Sequence, residues 1–187
     1  MKSKILATFI PVLLVCSFIY FMGFRLDGLT AARANSSVPK DSILQDQVDY
    51  KWGTVYIFDS PEKPMTAISM KKLGFLWISD TSVYFLRNED PIRTIGGVSL
   101  ANEKEKATVF SVMVEDRDVA YIEAGPESHR EQKQVILGEP ITFSWDVHIQ
   151  WNDLNPKALN GEGEVIYEYR YAKSNIIRLE DLKWYPV

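Results

Sequence analysis

The chain has few of the side chains that carry catalysis and metal binding in most enzymes. Among its 187 residues, Cys16 is the only cysteine, and His129 and His148 are the only histidines. One thiol cannot form an internal disulfide, and a structural zinc site needs four nitrogen or sulfur ligands. We therefore expect a protein without a metal or a cofactor, whose stability comes from its hydrophobic core.

The sequence also lacks a phosphate-binding loop and a basic surface. Gly96-Gly97 precedes a β-like run, with neither the lysine nor the helix start that a phosphate loop requires, and predicts a bulge or a turn. From Asn35 onward the chain contains 17 Lys and Arg residues and 24 Asp and Glu residues, which gives a net charge of −7. Nucleic-acid binding depends on a basic stripe that neutralises phosphates, so this composition excludes a nucleic-acid partner.

One long apolar run is present, and it lies at the amino terminus. Residues 5–24 contain no charged side chain and follow Lys2 and Lys4. Twenty helical residues, at about 1.5 Å each, span the roughly 30 Å hydrocarbon core of a bilayer, so residues 1–26 are predicted to be a transmembrane anchor. Basic flanks stay in the cytoplasm. We expect a single-pass cell-membrane protein whose carboxy-terminal domain lies outside the cytoplasm.

The alternative is a cleaved signal peptide, which would release a soluble secreted protein. Ala32-Arg33-Ala34 matches the small-residue pattern of a cleavage site. However, the apolar run is longer than the roughly 7 to 15 residues of a signal-peptide core, and the site lies ten residues beyond Phe24. Length therefore favours a retained anchor, with release after Ala34 as the alternative.

The chain after the anchor divides into a connecting segment and a domain. Residues 27–47 have few large apolar side chains and contain turn-forming residues such as Pro39, which predicts a flexible stalk. Residues 48–187 have the length of about one domain. We expect these residues to form the extracytoplasmic domain.

Hydrophobicity in this domain alternates with a period of two. In residues 141–149, five apolar side chains alternate with polar ones, and residues 165–171 show the same pattern after a glycine-containing turn. Nine or ten short strands separated by Gly and Pro turns predict an all-β fold, either an antiparallel sandwich or a barrel. The other predicted strands are 54–58, 66–70, 75–79, 82–86, 107–115, 119–124 and 134–137, and residues 174–184 fit a helix or a strand.

Aromatic side chains are the best candidates for ligand contact. Tyr167, Tyr169 and Tyr171 share one face of a predicted strand. If exposed, these rings would suit a cell-wall glycan or an envelope protein, and if buried they would form one wall of the core. Single tryptophans leave the same two interpretations open, namely Trp52, Trp77, Trp151 and Trp184.

A hydrolytic site is the less favoured alternative. Ser144, Asp146 and His148 lie on one strand face, but successive same-face positions are about 6.6 Å apart. A triad needs the imidazole between the hydroxyl and the carboxylate, and here His148 lies at the end of the series. A hydrolase would therefore need His129 or His148 to meet partners from elsewhere in the chain.

The carboxy-terminal third resembles small exported or membrane-anchored proteins of Gram-positive bacteria, a group that is uncharacterised. The resemblance lies in four stretches: Trp145-Asp146, Trp151-Asn152-Asp153-Leu154-Asn155, residues 160–171 and Glu180-Asp181-Leu182-Lys183-Trp184-Tyr185. It implies location and fold class, and no activity. Together with the anchor, it favours a non-catalytic binding or interaction module that is tethered outside the membrane.

Overall fold

The computed structural model describes residues 2–103, 105–172 and 178–187. For residues 2–9 and 179 it describes the backbone only. Two helices come first, α1 (Lys2–Phe21) and α2 (Gly28–Ala34). The strands that follow are β1 (Ile43–Tyr50), β2 (Gly53–Asp59), β3 (Met65–Lys72), β4 (Leu76–Tyr84), β5 (Ile92–Ala101), β6 (Lys106–Val114), β7 (Tyr121–Ala124), β8 (Glu131–Gln134), β9 (Pro140–Trp145), β10 (Lys157–Leu159), β11 (Val165–Arg170) and β12 (Lys183–Pro186).

The strands form three sheets, and all of their pairings are antiparallel. The first sheet is the meander β1-β2-β3-β4, the middle sheet has the order β5-β6-β9, and the third sheet has the order β12-β11-β10-β7-β8. The predicted all-β antiparallel class of the domain is confirmed.

The middle sheet has a hydrophobic core on each of its faces. Because side chains alternate along a strand, Val109 of β6 packs with Val55 and Ile57 of the first sheet, whereas Phe110 packs with Ile122 of the third sheet. The period-two pattern of the sequence therefore places apolar side chains in two separate cores.

Gly96 and Gly97 lie inside strand β5 and not in a turn. The pairing of β5 with β6 shifts register between Thr94 and Gly96, so the predicted bulge is present and the alternative of a turn is wrong. A Cβ on Gly96 would lie 2.7 Å from Ile57 Cγ2, and the Gly97 amide donates to Thr66 Oγ1 over 2.9 Å. The absent side chain of Gly96 therefore lets β5 pack closely against the first sheet.

The predicted flexible stalk, residues 27–47, is wrong for this chain. Helix α2 packs on the outer face of the first sheet, with Ala31 and Ala32 fully buried, and the hydroxyl of Ser69 donates to the carbonyl of Gly28 over 2.7 Å. Strand β1 then begins at Ile43. Small residues allow close packing of a helix on a sheet. They do not produce a pattern of large apolar side chains, so the sequence did not indicate this helix.

The apolar amino-terminal run forms helix α1. Within the described part of the chain, no helix has the length and apolarity that crossing a membrane requires, so the structure does not support the predicted transmembrane span. Four residues after α1, the amide and the carbonyl of Arg25 pair with those of Trp77, each over 2.8 Å. The segment directly after α1 is therefore hydrogen-bonded to β4.

Several strand boundaries differ from their predictions. The two predicted strands 75–79 and 82–86 are one continuous strand, β4, and the strand predicted at 141–149 ends at Trp145. The predicted strand 134–137 lies earlier, as β8. The ambiguous end contains a short 3-10 helix (Leu179–Asp181) and β12, while residues 173–177 lie outside the described residues.

Candidate functional site

The three candidate tyrosines of β11 have different surroundings. The hydroxyl of Tyr167 donates to Asp116 Oδ2 over 2.8 Å, and this hydrogen bond raises the pKa of Tyr167. Tyr169 packs between Phe110 and Trp184, with ring centroids 5.7 and 5.5 Å away. Tyr169 and Tyr171 line the same cleft, whereas Tyr167 does not. The structure therefore brings two of the three predicted residues together.

This cleft lies between the middle sheet, the β11–β12 edge of the third sheet and the segment that joins β4 to β5. It has a volume of about 610 Å³, within the range of ligand pockets in proteins. We call it the aromatic cleft. It is lined mainly by apolar and aromatic side chains, of which the largest are Tyr84, Phe85, Trp151, Tyr169, Tyr171 and Trp184.

Trp151 forms the floor of the aromatic cleft. Its ring lies above Gly97, where a Cβ would be 2.5 Å from Trp151 Cη2. The ring also packs against Phe85 at 5.7 Å and edge-on against Phe110 at 5.6 Å, measured between centroids. Because the absent side chain of Gly97 makes room for the indole, the glycine and the tryptophan form this surface together.

The interior of the aromatic cleft has a low polarity. Burial raises the pKa of Tyr169 to about 12, although the nearby side chains of Thr94 and Trp151 offset part of that rise. Trp184, which lines the cleft, has a buried indole Nε1 without a hydrogen-bond partner among the described residues. Buried polar atoms normally have partners, so this unpaired donor is an exception in the wall of the cleft.

Charged and amide side chains surround the entrance of the aromatic cleft. Arg87 forms an ion pair with Asp59 and donates to the carbonyl of Ser60 over 2.7 Å, and Asn88 donates to Asp90 over 2.8 Å. These contacts fix the segment 85–91 in place as one wall. The rim thus has polar groups of both signs around an apolar interior, an arrangement that is typical of binding sites.

The histidines and the polar strand face lie away from the aromatic cleft. His129 and His148 are both exposed, and His129 Nδ1 is 2.8 Å from the hydroxyl of Ser128. Neither histidine lines the cleft, and neither do Ser144 and Asp146. In the described residues no three histidine, cysteine or carboxylate side chains cluster as metal ligands.

Sequence reasoning did not identify most of the cleft. Trp151 and Trp184 were single candidates, and Gly96-Gly97 predicted only a bulge or a turn. Phe85 and Leu86 gave no signal for a cleft, because the sequence predicted them only as the end of the strand 82–86. Besides the aromatic residues, the glycine pair inside a β-rich run was a usable signal, since such glycines mark a close approach of another group.

Comparisons of the chain with protein-family models, with curated proteins and with solved structures give no match.

Proposed function

We propose that this protein is a non-catalytic binding module of the cell envelope, held at the outer surface of the membrane by its amino-terminal helix. Its ligand binds in the aromatic cleft. The observation that carries the proposal is the cleft itself, with its volume of about 610 Å³ and its aromatic floor.

An extended peptide segment of an envelope protein is the ligand that fits best. Strand β5 is an edge strand of the middle sheet and contributes Gly97, Val98 and Ser99 to the cleft. Edge strands can pair with an added strand, and aromatic side chains dominate the energetics of protein interfaces. A cell-wall glycan is less favoured, because only Tyr169 and Tyr171 of the predicted ladder reach the cleft.

The positions of the histidines support a non-catalytic role. Both histidines of the chain are exposed and lie outside it. Two of the ionised groups at its rim, Arg87 and Asp90, are engaged by Asp59 and Asn88. A hydrolase would need a nucleophile within hydrogen-bond reach of a base.

The sequence and exposure of α1 support the proposed membrane tether. Residues 5–24 are uncharged, and most of the large apolar side chains described in the helix are exposed, among them Leu14, Phe18 and Phe21. A reporter fused after Val187 should be active only outside the cytoplasm. Cytosolic activity of that reporter, or release of the full-length chain by alkaline washing, would contradict the tether.

The packing of α2 disfavours the alternative of release after Ala34. Cleavage there would remove Ala32, which is fully buried against Tyr56 and Phe58 on the outer face of the first sheet. The secreted product would expose this apolar surface. Mass analysis of the mature amino terminus distinguishes the two forms, and a chain beginning at Asn35 would establish the alternative.

Site-specific photocrosslinking tests the binding proposal in the full-length protein. A photoreactive amino acid replaces Leu86, a wall residue of the cleft that is 46% exposed, or Ile136, which is 59% exposed and outside it. We expect a protein adduct in envelope membranes from position 86 and none from position 136. Val83→Arg, which introduces a charge into the apolar wall, should remove that adduct.

Each outcome of this experiment has a distinct meaning. Equal adducts from both positions, or none from position 86, would contradict ligand binding in the cleft. An adduct at position 86 that disappears on glycosidase treatment would assign a glycan ligand and overturn the peptide part of the proposal.

A further inference from the structure

One end of the first sheet gathers residues that are distant in the sequence. In an antiparallel meander the β1–β2 and β3–β4 turns lie at the same end, and here the amide of Lys71 donates to the carbonyl of Trp52 over 2.9 Å. The Arg25–Trp77 backbone pair brings the chain after α1 to the same place, and its antiparallel register puts Leu26 beside Leu76. We define the tip surface as Leu26, Lys51, Lys71, Lys72, Leu73 and Phe75.

The apolar side chains of the tip surface are mostly exposed. Leu26, Leu73 and Phe75 are 78%, 83% and 61% exposed. Turns at strand ends are normally built from small and polar residues. Packing within the domain therefore does not explain why three large apolar side chains are exposed at one end of the sheet.

The β3–β4 turn also departs from the residue preference of its own backbone. Leu73 and Gly74 have φ values of 51° and 81°. Two successive positive φ angles favour Asn-Gly or Gly-Gly, and a leucine in this region is disfavoured. Leu73 thus costs local stability and makes no compensating contact in the core. Conflicts of this kind between local preference and residue identity are expected at functional positions.

The tip surface is basic although the chain is acidic. Lys51, Lys71 and Lys72 are all exposed, while the whole protein has a net charge of −4. Two acids neighbour these three lysines, Asp27, which caps α2 through the Thr30 amide, and Asp49, which accepts from the Thr54 hydroxyl. A basic ring around apolar side chains matches the headgroups of anionic lipids, which attract each nearby lysine.

We propose that the tip surface inserts into the headgroup region of an anionic lipid bilayer and holds the domain against the membrane. The proposal rests on the membrane location proposed above. Three observations favour lipid over a protein partner: the apolar side chains, the complementary charge, and the continuity with α1, which ends four residues before Arg25. Half-buried Trp52 and Trp77 lie at the same end, as expected at a membrane interface.

A polarity-sensitive fluorophore on the full-length chain tests this proposal. In a Cys16→Ser background, the probe is attached at Phe75→Cys or, as a control, at Ile43→Cys. Ile43 is 66% exposed at the opposite end of the same sheet. The carrier is a vesicle of phosphatidylcholine with phosphatidylglycerol. We expect the probe at position 75 to shift to the blue and to be quenched by nitroxide-labelled lipid, and the probe at position 43 to remain in water.

Charge variants provide a second measurement on the same labelled protein. Lys71→Gln and Lys72→Gln should each weaken quenching at position 75 by about fivefold, because one lysine near an anionic surface contributes about that factor. Lys40→Gln, which removes an exposed lysine outside the tip surface, should leave quenching unchanged. Equal effects of all three variants would overturn the proposal.

The outcomes also separate this proposal from the membrane tether. If the chain floats with the vesicles while the probe at position 75 stays in water, the tip proposal is overturned and the tether stands. If the chain does not float with the vesicles, both are overturned.

Discussion

The indole of Trp151 occupies the space that a side chain on Gly97 would fill, with Cη2 2.5 Å from the position of the missing Cβ. A backbone carbonyl, that of Val109, lies 2.8 Å from the same point. Because backbone cannot move aside as a flexible side chain can, the floor of the aromatic cleft requires glycine at position 97.

Substitution of Gly97 by alanine should therefore disturb the cleft and the fold together. Overpacking of this kind costs about 1 to 3 kcal/mol, so we expect Gly97→Ala to lower the free energy of unfolding by that amount and to change tryptophan fluorescence. Gly161→Ala is the matched control, since no atom lies within 4 Å of its Cβ position. Equal denaturation midpoints for the two variants would contradict the packing of Trp151 on Gly97.

Truncation at the amino terminus should show that α2 belongs to the domain. A fragment of residues 25–187 should unfold cooperatively, whereas residues 38–187 should lose at least about 3 kcal/mol, because Tyr56 and Phe58 lose their cover. Thermal unfolding followed by circular dichroism measures both. Similar midpoints for the two fragments would support the stalk that the sequence suggested.

The amino-terminal cap of α2 gives a third prediction. Hydrogen bonds from the side chain and the backbone of Thr30 lower the pKa of Asp27. Asp27→Ala should cost about 1 kcal/mol at neutral pH, and Asp27→Asn much less, because asparagine also caps helices. The ionised cap stabilises the fold above the unfolded pKa and is lost as pH falls through the lowered folded pKa. A loss for Asp27→Ala that does not change in acid would contradict this role.

Titration of Tyr169 should be visible in alkaline solution. Its folded pKa of about 12 exceeds the value of about 10 for an unfolded tyrosine. Between these values the unfolded state binds fewer protons, so stability is complete below pH 10 and decreases as pH rises toward 12. The decrease should be on the order of 2 kcal/mol and smaller in Tyr169→Phe. Alkaline unfolding with absorbance at the tyrosinate band measures it, and identical profiles for both proteins would contradict a buried hydroxyl.

Leu73 should be replaceable with a gain in stability. Asparagine tolerates a positive φ, so Leu73→Asn is expected to raise the free energy of unfolding by about 0.5 to 1 kcal/mol. Leu73→Ala removes the same apolar side chain but keeps the backbone strain, and should give no gain. Urea denaturation of the two variants measures the difference, and a loss for Leu73→Asn would show that the leucine packs in the fold.

The sequence predicted several strands well. Strands β2, β3, β6 and β11 lie within a few residues of their predicted positions. The first three are buried on both faces along most of their length, and β11 is half-buried throughout. Helix α2 was overlooked because Gly28, Ala31 and Ala32 pack through small size and not through hydrophobic periodicity.

The candidate site was less predictable for a physical reason. Its walls come from residues separated by up to about a hundred positions, and their meeting depends on how three sheets stack. Tyr169 and Trp151 were recognisable as large aromatic residues, but no local pattern shows that both face one cleft with Phe85. The tip surface was hidden for the same reason, because Leu26 reaches the end of the first sheet only through the pairing of Arg25 with Trp77.

The pairing of Arg25 with Trp77 leaves only a short connection between α1 and the β domain. Under the membrane location proposed above, this domain would be confined to a thin layer just above the lipid, whereas a domain on a long linker would reach a wide volume of the envelope. Any molecule that binds in the aromatic cleft would then have to reach the surface of the bilayer, as another membrane protein does.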